Sequence, residues 1–221
     1  MKNFICAVAL SLGAASFCSA QSTPGSTQVG ILVGPNRTHL NRSKDYFDWA
    51  DFKSDFRGAA GLSVKHQFAS LFLKADLLYE NKGDRIDYTT TDANGYPSGE
   101  HSLRFNYHYL SLPVLLGIHI KQTGFFVNAG PSVSWLLKQT NKTNEKSDIP
   151  FADEDTTSDW KRLDVGVAGG IGYSRPIASA LNLSAEVRHT LGLLNISKSS
   201  NSVRTSSTNL LLGLHYTLAG K

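Results

Sequence analysis

From residue 28 to residue 218 one pattern dominates the chain: apolar and polar side chains alternate with period two, in eight separate stretches. Successive side chains of a β-strand point to opposite faces, so each stretch reads as a strand with one apolar wall and one polar wall. The stretches are 28–36, 56–68, 71–84, 102–120, 125–138, 162–174, 181–196 and 207–218. In 125–138, Phe125, Val127, Ala129, Val133, Trp135 and Leu137 oppose Asn128, Gly130, Ser132, Ser134 and Lys138. In 181–193, Leu181, Leu183, Ala185, Val187, Leu191 and Leu193 oppose Asn182, Ser184, Glu186, Arg188 and Thr190. In 71–80, Leu71, Leu73, Ala75, Leu77 and Tyr79 share a wall against Lys74, Asp76 and Glu80, with Leu78 the apolar exception.

The links between stretches alternate in length. Those at Arg37 to Asp55, Arg85 to His101, Gln139 to Lys161 and Ser197 to Ser206 are long. Those at Ala69-Ser70, Lys121 to Gly124 and Arg175 to Ala180 are short. An antiparallel meander with both termini at its short-turn end produces this order, and bacterial barrels keep short periplasmic turns and long outer loops. No convincing 3.6-residue pattern lies between the stretches, which removes βαβ folds. The fold expected is all-β, an eight-stranded antiparallel up-and-down transmembrane β-barrel. Stretch 102–120 changes phase, apolar at odd positions from Leu103 to Tyr109 and at even positions from Leu110 to Ile120. A β-bulge inserts one residue and flips those that follow, so a bulge is expected in this strand, close to Pro113.

Residues 1–20 read as a signal peptide, with Lys2 as the positive n-region, an apolar stretch from Phe4 to Phe17 and small residues in Cys18-Ser19-Ala20. Residues 21–221 are then expected to form one domain, an outer-membrane β-barrel. The bulky Phe17 speaks against the rival reading, a lipoprotein anchored at Cys18. Both cysteines, Cys6 and Cys18, lie in the leader, so the mature chain has no disulfide, thiolate chemistry or Cys-based metal site. The formal net charge of +4, one unit of it from Lys2, is spread along the chain and gives no case for nucleic acid. No second apolar run is long enough for a transmembrane helix, so a membrane form must be a barrel.

Alternation alone suits a soluble barrel with a greasy interior as well as a membrane barrel turned inside out. Three features favour the second. The polar wall is rich in Gly, Ala and Ser over 128–134 and 166–174, which suits the narrow interior of eight strands. Aromatics on the apolar wall gather at the strand ends: Phe68, Phe125, Tyr173 and Tyr216 at the short-turn end, Tyr79 and Trp135 near the long-loop end. Such belts mark the two interfaces of a bilayer. No Asp, Glu, Lys or Arg stands mid-strand on the apolar wall.

The polar wall carries Lys65, Lys74, Asp76, Glu80, Lys82, Asp164, Glu186 and Arg188. These charges either line a gated ion path or pair inside a plugged lumen; mixed signs and a narrow bore favour pairing. An enzyme is not expected. His189 is the one histidine on the apolar wall near the long-loop end, Glu186 points the other way, and no serine stands suitably beside them. The histidines form no ligand pair, so neither a metal nor another cofactor is expected. The first long loop, 38–56, sets Tyr46, Phe47, Trp49 and Phe52 among charged residues, as a surface for a protein or glycan partner or as rings folded over the barrel rim. Asp153-Glu154-Asp155 and Asp159 read as a solvated acidic loop without EF-hand spacing.

The chain resembles the PorT-like outer-membrane β-barrel proteins of Bacteroidota. DLLYENKG at 76–83, YLSLPVLLG at 109–117, FFVNAGP at 125–131, DVGVAGGIGY at 164–173 and LGLLNI at 191–196 recur in that family's order across nearly the whole mature chain. The resemblance implies an eight-stranded barrel in the outer membrane, in contact with its lipid and lipopolysaccharide, with one branch serving protein secretion. A departure is the last strand, which closes on Leu218 with Tyr216 as its final aromatic. The functions expected are a structural or binding role through the outer loops, or a porin-like channel for small solutes or ions, or a part in secretion. The facing assignment has a direct test: Leu183→Arg blocks stable insertion into vesicles, whereas Ser184→Arg leaves the lipid face intact. Equal, normal insertion of both variants, read by protease protection, contradicts it.

Overall fold

The computed structural model describes residues 25–42, 52–92, 94–120, 123–143, 155–199 and 201–218. Eight antiparallel strands, β1 (Thr27–Arg42), β2 (Phe52–Gln67), β3 (Leu71–Thr91), β4 (Pro97–His119), β5 (Phe125–Thr143), β6 (Leu163–Ala178), β7 (Leu181–Gly192) and β8 (Val203–Leu218), form a closed up-and-down barrel. β8 closes the ring on β1, from Thr27 opposite Leu218 to Arg42 opposite Val203. Closure leaves no unpaired sheet edge around the ring, the condition a β-structure must meet in hydrocarbon.

The side-chain pattern is inside out. Ile31, Leu62, Leu77, Leu112, Val133, Ile171, Val187 and Leu212 stand exposed on the outer wall, while Asp76, Glu80, Ser111, Ser134, Glu186 and Asn209 are buried. Leu183 faces outward and Ser184 inward. Outward positions between the aromatic belts carry no Asp, Glu, Lys or Arg among the described residues. An apolar surface running round the whole barrel far exceeds what a soluble monomer exposes, and hydrocarbon is the solvent that suits it.

Strand boundaries depart from the sequence reading mainly on the long-loop side. β1 runs to Arg42 and β2 starts at Phe52, so most of the expected link Arg37 to Asp55 is ladder. β3 runs to Thr91 and β4 starts at Pro97, so most of the expected link Arg85 to His101 is ladder. Beyond the bilayer both walls are polar, so the ladder continues where the alternation fades. β7 stops at Gly192 instead of 196, because Ile196 leaves the wall and is buried. β6 runs to Ala178, which leaves only Ser179-Ala180 as its turn.

The expected bulge in the fourth strand is on its neighbour. His108 pairs with Lys138 and Tyr109 with Leu136, so the extra residue is Leu137 of β5. β5 flips phase there: Ser134 and Leu136 face inward below it, Gln139 and Asn141 above it. Along β4, Tyr107, Tyr109, Ser111 and Leu115 all face inward. The change of apolar phase in β4 therefore records an apolar upper lumen. Lys138, placed by alternation on the polar wall, stands outside for the same reason.

Small residues on the inner wall make room for large ones opposite. A Cβ on Gly117 would lie 2.1 Å from the Phe72 ring, and one on Gly172 would lie 2.3 Å from the Phe126 ring. Gly117→Ala therefore costs about 1–3 kcal/mol of overpacking in urea unfolding from vesicles. In a Phe72→Ala background the same substitution is expected to be close to neutral; an equal cost in both backgrounds contradicts this packing.

Candidate functional site

The lumen holds the chemistry-bearing residues. At the short-turn end Phe72, His119 and Phe126 form a ring cluster, with Phe72 4.9 Å from His119 and 5.7 Å edge-on from Phe126. The Lys65 ammonium lies 5.5 Å over the Phe72 ring. A cavity of about 10 Å³ between Lys65, Lys74, Ser184 and His215 is scarcely a water in size.

Next is the main charge cluster. Lys74 Nζ is 2.7 Å from Glu186 Oε2 and 3.4 Å from Asp76 Oδ2. Arg188 completes the ring, at 2.8 Å from Glu186 through Nε and 2.8 Å from Asp76 through Nη2. Asn128 Nδ2 donates to Glu186 at 3.0 Å. Lys74 and Asp76 stand on β3, Glu186 and Arg188 on β7, and these strands are half a circumference apart. The ion pairs thus cross the bore at its full diameter. Leu32, Ala59, Leu78 and Leu211 make an apolar cluster of their own on the inner wall, which explains why Leu78 broke the polar pattern.

A second polar cluster is centred on Glu80. Ser111 Oγ donates to it at 2.5 Å and Asn209 Nδ2 at 2.8 Å, Lys82 Nζ is 3.5 Å away, and Ser134 donates onward to Ser111 at 2.8 Å. Asp164 accepts from Thr205 at 2.6 Å. The eight charged residues singled out on the polar wall are all buried, and their signs balance: Lys65, Lys74, Lys82 and Arg188 against Asp76, Glu80, Asp164 and Glu186.

The extracellular mouth is closed by a core that alternation did not reveal. Leu40, Tyr107, Tyr109, Leu136, Trp160, Ile196 and Val203 pack together, with Trp160 edge-on to Tyr107 at 4.9 Å. Trp160 arrives from a short 3-10 turn, Thr157–Asp159. Lys161 N donates to Ile196 O at 2.7 Å, which ties that segment to the β7–β8 connection. Asp155 steadies the turn by accepting from the Thr157 hydroxyl at 2.5 Å and from its amide at 3.1 Å. These bonds hold the Asp155 carboxyl below the usual carboxylate range. The sequence signal for this plug was a lone tryptophan in a polar stretch and tyrosines out of phase on β4.

The aromatics assigned to the membrane interface, Phe68, Tyr79, Phe125, Trp135, Tyr173 and Tyr216, all stand exposed on the outer wall. Of the loop candidates, Tyr46, Phe47 and Trp49 lie outside the described residues, as do the signal peptide 1–20 and Asp153-Glu154. Phe52 begins β2 rather than lying in a loop; the Arg42 guanidinium covers its ring at 3.7 Å and Phe105 lies 6.2 Å away, so it is packed on the rim. His189 stands on the outer wall, where Nδ1 meets the Thr208 hydroxyl at 2.8 Å. Among the described residues no group of three His, Cys, Asp or Glu is arranged to hold a metal.

Removing one partner from a buried ion cluster strands the other. Lys74→Met is therefore expected to cost about 3–5 kcal/mol in urea unfolding. Lys74→Met combined with Glu186→Leu leaves the Arg188–Asp76 pair neutral and recovers most of that loss. Additive costs contradict the pairing.

The family model described as "Outer membrane protein beta-barrel domain" matches residues 19–198. No curated protein sequence matches the chain. Among solved structures, the chain is similar to Neisserial surface protein A, at 12% identity and TM-score 0.45, over 86% of this chain and 97% of that one. It is similar to the Yersinia pestis attachment invasion locus protein Ail, solved with the heparin analogue sucrose octasulfate, at 12% identity and TM-score 0.41, over 86% and 99%. It is also similar to OprG of Pseudomonas aeruginosa, at 11% identity and TM-score 0.42, over 87% and 97%. With a family model covering most of its length and a closed β-barrel for its fold, the chain belongs to the outer membrane protein beta-barrel domain family.

Proposed function

We propose that this protein is a non-conducting, non-catalytic barrel of the outer membrane that acts as a rigid mount for its extracellular side, which binds lipid, glycan or protein partners. One observation carries this reading: Lys74–Glu186 and Arg188–Asp76 contacts of 2.7 and 2.8 Å between strands on opposite sides of the ring. A conducting path needs a continuous, hydrated bore, and side chains that meet across the diameter leave none at that level. The Tyr107–Trp160 plug adds a second, apolar barrier at the outer mouth. Balanced charges within the bore also remove the net field that would select one ion sign.

The same filling counts against catalysis within the lumen, because a reacting group needs a place for substrate beside it. The buried carboxylates are held by cations, amides and hydroxyls rather than facing a cleft. The motifs at 76–83, 109–117 and 164–173 support a place in the PorT-like branch of the family. Planar bilayer recording tests the function: the purified full chain gives no resolved single-channel steps, and large, stable steps overturn the proposal.

A further inference from the structure

On the extracellular part of the outer wall, four neighbouring strands place cations side by side. Lys53 of β2 pairs with Arg85 of β3, Arg85 with Arg104 of β4, and Arg104 with Lys142 of β5. Residues opposite one another in a ladder share a face, so these side chains form one row across the wall. Like charges directly opposite destabilise a sheet, and here three such pairs follow in succession. Arg57 adds to the patch, reaching over Gly83 to Asn106, and Lys138 stands below it.

Among the described residues carboxylates offset this only in part. Asp87 lies 3.2 Å from Lys53 and 2.9 Å from Arg85. Asp55 is shared between Arg57 at 3.1 Å and Arg104 at 3.7 Å, and Asp155 is 3.6 Å from Lys138. Among the described residues Lys142 has no acidic partner within ion-pair distance. The eight lumen charges balance, whereas the described residues of this wall carry an excess of cations.

We propose that the row Lys53–Arg85–Arg104–Lys142 is a docking surface for the phosphorylated saccharide headgroup of an outer-leaflet glycolipid. Three facts select that occupant. The row stands on the face that carries the lipid-facing Leu73, Leu77, Leu110 and Val133 lower on the same strands, so acyl chains lying on those residues bring their headgroup in front of it. Arg85 is six residues beyond the interfacial Tyr79 on β3, about 20 Å along the strand and about 15 Å along the membrane normal after tilt. That height is beyond a simple phospholipid phosphate and suits a tall, phosphorylated sugar. Arginine forks bind phosphate oxygens through paired, charge-assisted hydrogen bonds, which offset the repulsion within the row. Tyr79 and His108, joined by a 2.6 Å hydrogen bond, mark the step between hydrocarbon and headgroup on this wall.

The proposal rests on the outer-membrane reading but not on the sealed lumen. The full chain, refolded in phosphatidylcholine nanodiscs, is titrated with a lipopolysaccharide whose core sugars carry phosphate, with the same lipid dephosphorylated and with the soluble phosphorylated core oligosaccharide. Arg85→Gln with Arg104→Gln is expected to weaken binding of the phosphorylated lipopolysaccharide about 25-fold, at roughly a factor of five for each cation. Binding of the dephosphorylated lipid stays weak and equal in both proteins. The heat-dependent shift on a detergent gel checks folding, and Lys142→Gln at the row's end, with a smaller loss in the same direction, serves if the double variant fails to fold. Unchanged affinity in the folded variants, dephosphorylated lipid bound as tightly as the phosphorylated form, or oligosaccharide binding as tight as the lipid's overturns the proposal. Channel steps together with charge-dependent lipid binding would sink the sealed-barrel function and leave this surface standing. A sealed, folded barrel indifferent to phosphate would do the reverse.

Discussion

Hydrocarbon offers no partner to a backbone amide, and every other feature of this molecule follows from meeting that condition with only eight strands. The ring must close, so β8 returns to β1 and no edge remains. Eight strands leave a bore only as wide as the side chains that fill it. Lipid takes the apolar wall, so the polar wall has to fit within that bore. Small residues such as Gly117 and Gly172 then stand where the Phe72 and Phe126 rings need room, and charges come in opposed sets.

The interior does not use one kind of filling throughout. Rings close the periplasmic end, an ion cluster spans the lower bore, a carboxylate ringed by hydroxyl, amide and ammonium groups sits higher, and a tyrosine–tryptophan core caps the outer mouth. An ion cluster deep in a barrel is an expensive filler, because each charge is stripped of water. It carries directionality that a greasy filler lacks. Arg188 meets Asp76, and Lys74 meets Glu186, only when β3 and β7 stand in one register, so the cluster acts as a gauge of correct closure.

The lipid-facing wall was open to sequence reading because one solvent imposes one rule on every outward residue between the belts. Leu183 and Ser184, or Tyr79 and Glu80, could be assigned by counting alone. The types of the lumen charges were equally legible, but not their pairing: Lys74 and Glu186 meet through the curvature of a closed ring, which period-two counting does not encode. The outer plug escaped because Tyr107 and Tyr109 look like lipid-facing residues until the β5 bulge at Leu137 is known. The far ends of β1 to β5 escaped because water on both walls removes the contrast that marks a strand.

The ion pairs across the bore join residues 112 positions apart. Until β7 takes its place, Lys74 and Asp76 of β3 have only each other as counter-charge, and exposing the pair to acyl chains would be costly. Strands therefore cannot enter the membrane one at a time in chain order. The ring has to assemble in a wet setting or under the cover of another protein, and cross into the bilayer once its first and last strands have met.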